Sequence, residues 1–92
     1  MNDNKISLSD LSSLLSDTIQ KFPVGSRWRH YKGGEYIITG VCVLQASSEL
    51  AIRYCPIDRP MVEFVRAISG WEAEVPSGLR RIRRFVQLTT NE

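Results

Sequence analysis

From Arg27 onward the chain alternates in two-residue steps and is cut every few positions by glycine or proline, a pattern that suits short antiparallel strands. Arg27 to Lys32 (RWRHYK) and Glu35 to Gln45 (EYIITGVCVLQ) flank Gly33-Gly34. Two extended runs around a Gly-Gly pair predict a hairpin, because glycine supplies the positive φ of tight primed turns. Gly40 inside the second run predicts a bulge or sharp bend. A polar turn at Ser47-Ser48-Glu49 leads into a third run, Leu50 to Cys55. The stretch Pro56-Ile57-Asp58-Arg59-Pro60 interrupts pairing, since proline cannot donate to a ladder. Met61 to Arg66 (MVEFVR) forms a fourth run, with Met61 or Val62, Phe64 and Val65 expected to supply apolar contacts. Residues 67–79, holding Trp71, Pro76 and Gly78, read as an irregular excursion with one helical turn, and Arg83 to Leu88 (RRFVQL) as a fifth strand.

The first 22 residues follow a different period. Leu8, Leu11, Leu15, Ile19 and Phe22 recur at the spacing of one helical face, Ser7 and Asp10 resemble a capping box, and Pro23 and Gly25 end the segment. About four turns of helix are marginal alone. The apolar face must therefore cover its own domain or a second copy of the chain, the latter giving a homodimer. At 92 residues there is material for one core. The expected architecture is mostly β: an amphipathic helix over 1–22, then a small, strongly bent antiparallel sheet or SH3-like barrel of about five strands over 23–92.

No apolar run approaches the ~20 residues of a membrane span, and the opening MNDNKISLSD lacks the basic and apolar regions of a secretory signal. Cys42 and Cys55 match no zinc or redox spacing and read as buried thiols in a reducing cytoplasm. A cross-strand disulfide between them would require the right strand register. The net charge of +2 is unevenly spread: residues 1–22 sum to −1 and residues 23–92 to +3. Arg80, Arg81, Arg83 and Arg84 are the densest group, a candidate edge for an anion or nucleic acid. The plainer reading has arginines solvating an edge strand, with Arg66 and Arg84 paired to Glu63, Glu72 or Glu74.

His30 is the only histidine. On an alternating strand it shares a side with Trp28 and Lys32. A catalytic histidine needs a nucleophile or carboxylate in a defined relation, and a metal site needs further ligands. Neither constellation can be assembled, so no catalytic residue, metal or cofactor is assigned. Lys32-Gly33-Gly34 joins two strands where a phosphate loop would open a helix, which leaves it as a turn able to meet an anion. Trp28, Tyr54 and Trp71 have polar edges suited to a rim, with faces for stacking. A ligand surface of Trp28, His30, Lys32, Tyr54, Arg66 and Trp71 follows, for a small anionic ligand, a nucleotide or a nucleic-acid segment.

The run Gly25-Ser26-Arg27-Trp28-Arg29-His30-Tyr31-Lys32-Gly33-Gly34-Glu35-Tyr36 resembles the opening of the bacterial family called domain of unknown function 1653. Tyr54, Phe64-Val65-Arg66, Trp71 and Arg84-Phe85 continue the resemblance in order, over residues 24–88. The chain departs from it at Arg66-Ala67, where the family commonly has Arg-Pro, in the basic stretch 75–83, and in the helical lead. The resemblance implies a compact barrel-like β fold in a bacterial cytoplasm and no particular activity. The sequence thus reads as a binding module rather than an enzyme, with a helix-mediated interaction or oligomerisation unit as the competing reading.

Overall fold

The computed structural model describes residues 7–89. Helix α1 spans Leu8–Lys21, with Ser7 as its N-cap: the serine side chain accepts from the Asp10 N–H at 3.1 Å. No residue of α1 is buried, and Leu8 is 84% exposed. The helix is joined to the core by its C-cap residue, Phe22, which is buried and lies 5.7 Å from the ring of Trp28. Lys21 adds an ion pair with Glu72 at 2.9 Å.

Strands β1 (Arg27–His30), β2 (Glu35–Leu44), β3 (Glu49–Pro56), β4 (Phe64–Ala67) and β7 (Phe85–Leu88) form one antiparallel sheet in the order β4-β3-β2-β1-β7. The predicted hairpin joins β1 and β2 through Gly33, whose φ of 110° lies in the glycine-favoured region. The β2–β3 register shifts between Ile38 and Gly40, as the glycine predicts, and the Arg53 guanidinium lies across Gly40 where a side chain would otherwise stand. Cys42 opposes Ala51 and Cys55 opposes Ile37, so the register places the thiols at different rungs and both are free.

Three expectations need correction. The sheet bends but does not close into a barrel, leaving β4 and β7 as its two edges. At β4, the short helix α2 (Ile68–Trp71) follows at once and turns the chain away from further pairing. The fourth run pairs only from Phe64, and Met61, Val62, Phe64 and Val65 are exposed, Met61 at 96%. Before β7, the expected irregular stretch contains a second hairpin, β5 (Glu74–Ser77) with β6 (Arg80–Arg83). Its two-residue turn, Gly78-Leu79, has positive φ at the glycine, as a type II′ turn requires. Pro76 is tolerated because this ribbon has no further strand to pair with.

The core lies on the concave face of the bent sheet. Ile38 and Ile52 are fully buried there, with Phe22, Trp28, Tyr54, Trp71 and Phe85 around them. Trp71 stacks flat on Phe85 at 3.8 Å and meets Trp28 and Tyr54 edge-on at 5.5 and 4.9 Å. Such pairs contribute about 0.5–1.5 kcal/mol each beyond the area they bury.

Candidate functional site

At one end of the sheet, β1 and β3 finish while β2, β4 and β7 begin, and this end, where the edge strands β4 and β7 approach each other, is termed the mouth. His30 closes β1 and pairs with Phe85, the first residue of β7. Their rings meet edge-on at 4.9 Å, and Tyr36 stands 6.0 Å from the same phenylalanine. Tyr54 and Phe64 face each other across the β3–β4 ladder, with rings 5.6 Å apart. Arg66 projects from β4 toward the opposite edge: its Cζ lies 5.7 Å over the Phe85 ring, and its Nε donates to the Tyr54 hydroxyl at 3.3 Å. The bent sheet thus brings its edges within the reach of one side chain.

Arg84 joins β6 to β7 and is held by its backbone, its N–H donating to Ala73 and its carbonyl accepting from Tyr31, both at 2.9 Å. Its side chain is half-buried, and its Nε is buried without a hydrogen-bond partner. The indole N–H of Trp71 is likewise buried and unpartnered. Arg66, Arg84 and Lys32 act together at His30. Burial first, then the positive charges of Arg66, Arg84 and Lys32 in that order, lower the histidine below its ordinary pKa of 6.5. His30 Nδ1 accepts from the Lys32 N–H at 3.1 Å, which assigns the proton of the neutral ring to Nε2.

Carboxylates are spent elsewhere. Glu35 binds Arg27 and Arg29 at 2.9 and 3.2 Å, and these bonds hold its carboxyl below the usual range. Glu63 meets Arg53, Glu74 meets Arg81, and Glu72 meets Lys21. Among the described residues, no carboxylate pairs with Arg66, Arg84, Lys32 or His30. The expected pairing of Arg66 and Arg84 with Glu63, Glu72 or Glu74 is therefore absent.

The six residues expected to form a ligand surface divide. His30, Lys32 and Arg66 gather at the mouth, whereas Trp28, Tyr54 and Trp71 are buried in the core, Trp71 at 1% exposure. A rim needs partly open rings, and these are covered by one another and by Phe22 and Phe85. The arginine edge also divides. Arg80 and Arg83 are exposed, Arg83 lining a cavity together with His30, Arg81 is bound to the carboxylate and carbonyl of Glu74, and the charge of Arg84 acts on His30. Tyr36 and Phe85 belong to the site although local periodicity does not single them out. Phe85 meets His30 through β1–β7 pairing across 55 residues of sequence, which no local pattern encodes.

The sequence profile of the family described as "Protein of unknown function (DUF1653)" matches residues 26–87. The chain belongs to this family. The match begins after α1 and takes in every residue gathered at the mouth. A crystal structure of a family protein from Bordetella bronchiseptica is similar at 28% identity and a TM-score of 0.59, covering 80% of this chain and 99% of that one. No curated protein matches the chain. Among the described residues, no helix is long and apolar enough to cross a membrane.

Proposed function

We propose that this DUF1653 chain is a cytoplasmic binding module, not an enzyme, and that it holds a small anionic ligand at the mouth between β4 and β7. The reading rests on one observation: Arg66 and Arg84 are both half-buried and converge with Lys32 on His30 without an acidic partner among the described residues. Half-burying a guanidinium costs free energy unless a counter-charge and hydrogen bonds offset it. A bound oxyanion would supply both, accepting from the arginines by charge-assisted bonds. The free thiols suit a reducing compartment.

A compact ligand is favoured over a nucleic-acid segment. Arg53 and Arg81 are each paired with a carboxylate, Glu63 and Glu74, and Arg27 and Arg29 share Glu35, so the four add little to a continuous positive track. Sulfate titrated into the protein at low ionic strength should perturb the NMR signals of His30 and Phe85. Arg66→Gln or Arg84→Gln should weaken binding by roughly ten-fold or more, as expected for a charge-assisted bond. Absence of any mouth-localised change would refute the reading.

The apolar face of α1 supports a second reading, self-association through its exposed members Leu8 and Ile19. Sedimentation that depends on concentration, and is abolished by Leu8→Asp with Ile19→Asp, would carry it. A monomer at all concentrations would end it.

A further inference from the structure

The mouth contains one group whose charge can change near neutral pH, and it sits where a ligand's charge would be felt most. His30 is flanked by Lys32 and Tyr31 from the turn, Tyr36 from β2, Arg66 from β4, Arg83 from β6 and Arg84 before β7. Tyr54 of β3 stands behind Phe85. Arg29 and Glu35, the charged neighbours on β1 and β2, are bonded to each other. Every ionic neighbour acting on the imidazole is therefore positive. With Nδ1 already accepting from the Lys32 N–H, the ring gains a second proton only by giving up that bond and facing three cations.

Building on the anion reading above, we propose that the mouth takes up its anion together with a proton, the proton going to His30, so that the ligand is a compact oxyanion held more tightly as pH falls. An anion placed among Arg66, Arg84 and Lys32 cancels the field that keeps the imidazole neutral. The imidazolium then adds a fourth cation to the ligand's surroundings. Linkage makes the coupling reciprocal: the factor by which the anion strengthens protonation is the factor by which protonation strengthens anion binding. The ligand class narrows accordingly to oxyanions whose charge is fixed across this interval, sulfate esters and phosphodiesters among them, which keep their negative charge where His30 becomes positive. A weakly acidic ligand would lose its own charge over the same interval.

The chain has a single histidine, so its imidazole Hε1 proton gives one unambiguous NMR titration. Sulfate is the probe because it does not itself titrate between about pH 5 and 8. Without sulfate, the His30 midpoint should lie below 6.5. With saturating sulfate it should rise by about one unit, and sulfate affinity should be about ten-fold greater at the acid end than at the alkaline end. His30→Gln should leave sulfate binding at its alkaline-end strength and make it independent of pH. Sulfate that binds at the mouth and leaves the His30 midpoint unmoved overturns proton coupling and leaves the anion site standing. If sulfate shifts no resonance at all, both fall. The wild-type titration decides the matter even if the variant does not fold.

Discussion

Replacing Arg84 by methionine should stabilise the protein while removing anion binding. The side chain is half-buried, its Nε is buried without a partner, and no carboxylate pairs with it among the described residues. A buried unsatisfied donor costs about 1–3 kcal/mol, more when it belongs to a charged group. Methionine keeps an unbranched apolar stem and removes the donor and the charge. The bonds to Ala73 and Tyr31 are made by the backbone and survive the substitution. Some van der Waals contact of the guanidinium is lost, so a net gain of about 1–2 kcal/mol is expected. For a domain of this size that raises Tm by roughly 4–16 °C. Urea denaturation or calorimetry should be run in buffer free of sulfate and phosphate. Added sulfate should then stabilise the wild type by RT ln(1 + [L]/Kd) and leave Arg84→Met unmoved, narrowing the gap. A variant less stable than wild type by 1 kcal/mol or more would show that Arg84 is a structural residue, and the reasoning from its orphaned Nε would fail.

Phe22→Ala should destabilise the fold by about 3 kcal/mol, since it removes the buried ring that joins α1 to Trp28, whereas Leu8→Ala should change stability by less than about 0.5 kcal/mol; chemical denaturation followed by tryptophan fluorescence separates them. Because the folded His30 pKa lies below 6.5, the unfolded chain binds the proton more readily, so stability should decline as pH falls from about 6.5 toward the folded value. His30→Gln should remove that slope in denaturation curves measured across the interval. The depressed Glu35 carboxyl has the acid-side counterpart: its contribution is present above the unfolded carboxylate pKa and lost as pH falls through the folded one, and Glu35→Gln should abolish that loss. Gly78→Ala should cost about 1 kcal/mol by thermal melting, because the position requires a φ of 64° and has open space for the methyl group.

Much of the fold could be read from local chemistry. Ser7 with Asp10 marks the start of α1, Gly33 the first hairpin and Gly40 the bulge, because each residue's backbone preference acts where it stands. The β5–β6 hairpin was also signalled, by Gly78-Leu79 between Ser77 and Arg80, but Pro76 and the run of arginines obscure it. The site was less legible. His30 stands out as the single histidine and Arg66 through the Phe64-Val65-Arg66 resemblance, yet their meeting depends on how far the sheet bends, which is a property of all five strands together. The tryptophans misled for the same reason. A polar edge permits a rim position, but a domain this small uses Trp28 and Trp71 to fill its interior, leaving the Trp71 N–H unpartnered.

A closed barrel has a bore set by strand number and shear, and altering it means re-registering hydrogen bonds around the whole circumference. Here the seam between β4 and β7 is left unstitched, and its width is set by what Arg66, Phe64 and Phe85 place across it. Side chains at such a gap can be exchanged without disturbing a single rung of the ladder. The width of this seam can therefore be varied by point substitution alone. In this chain an arginine reaches across that seam, held by the Tyr54 hydroxyl and the face of Phe85.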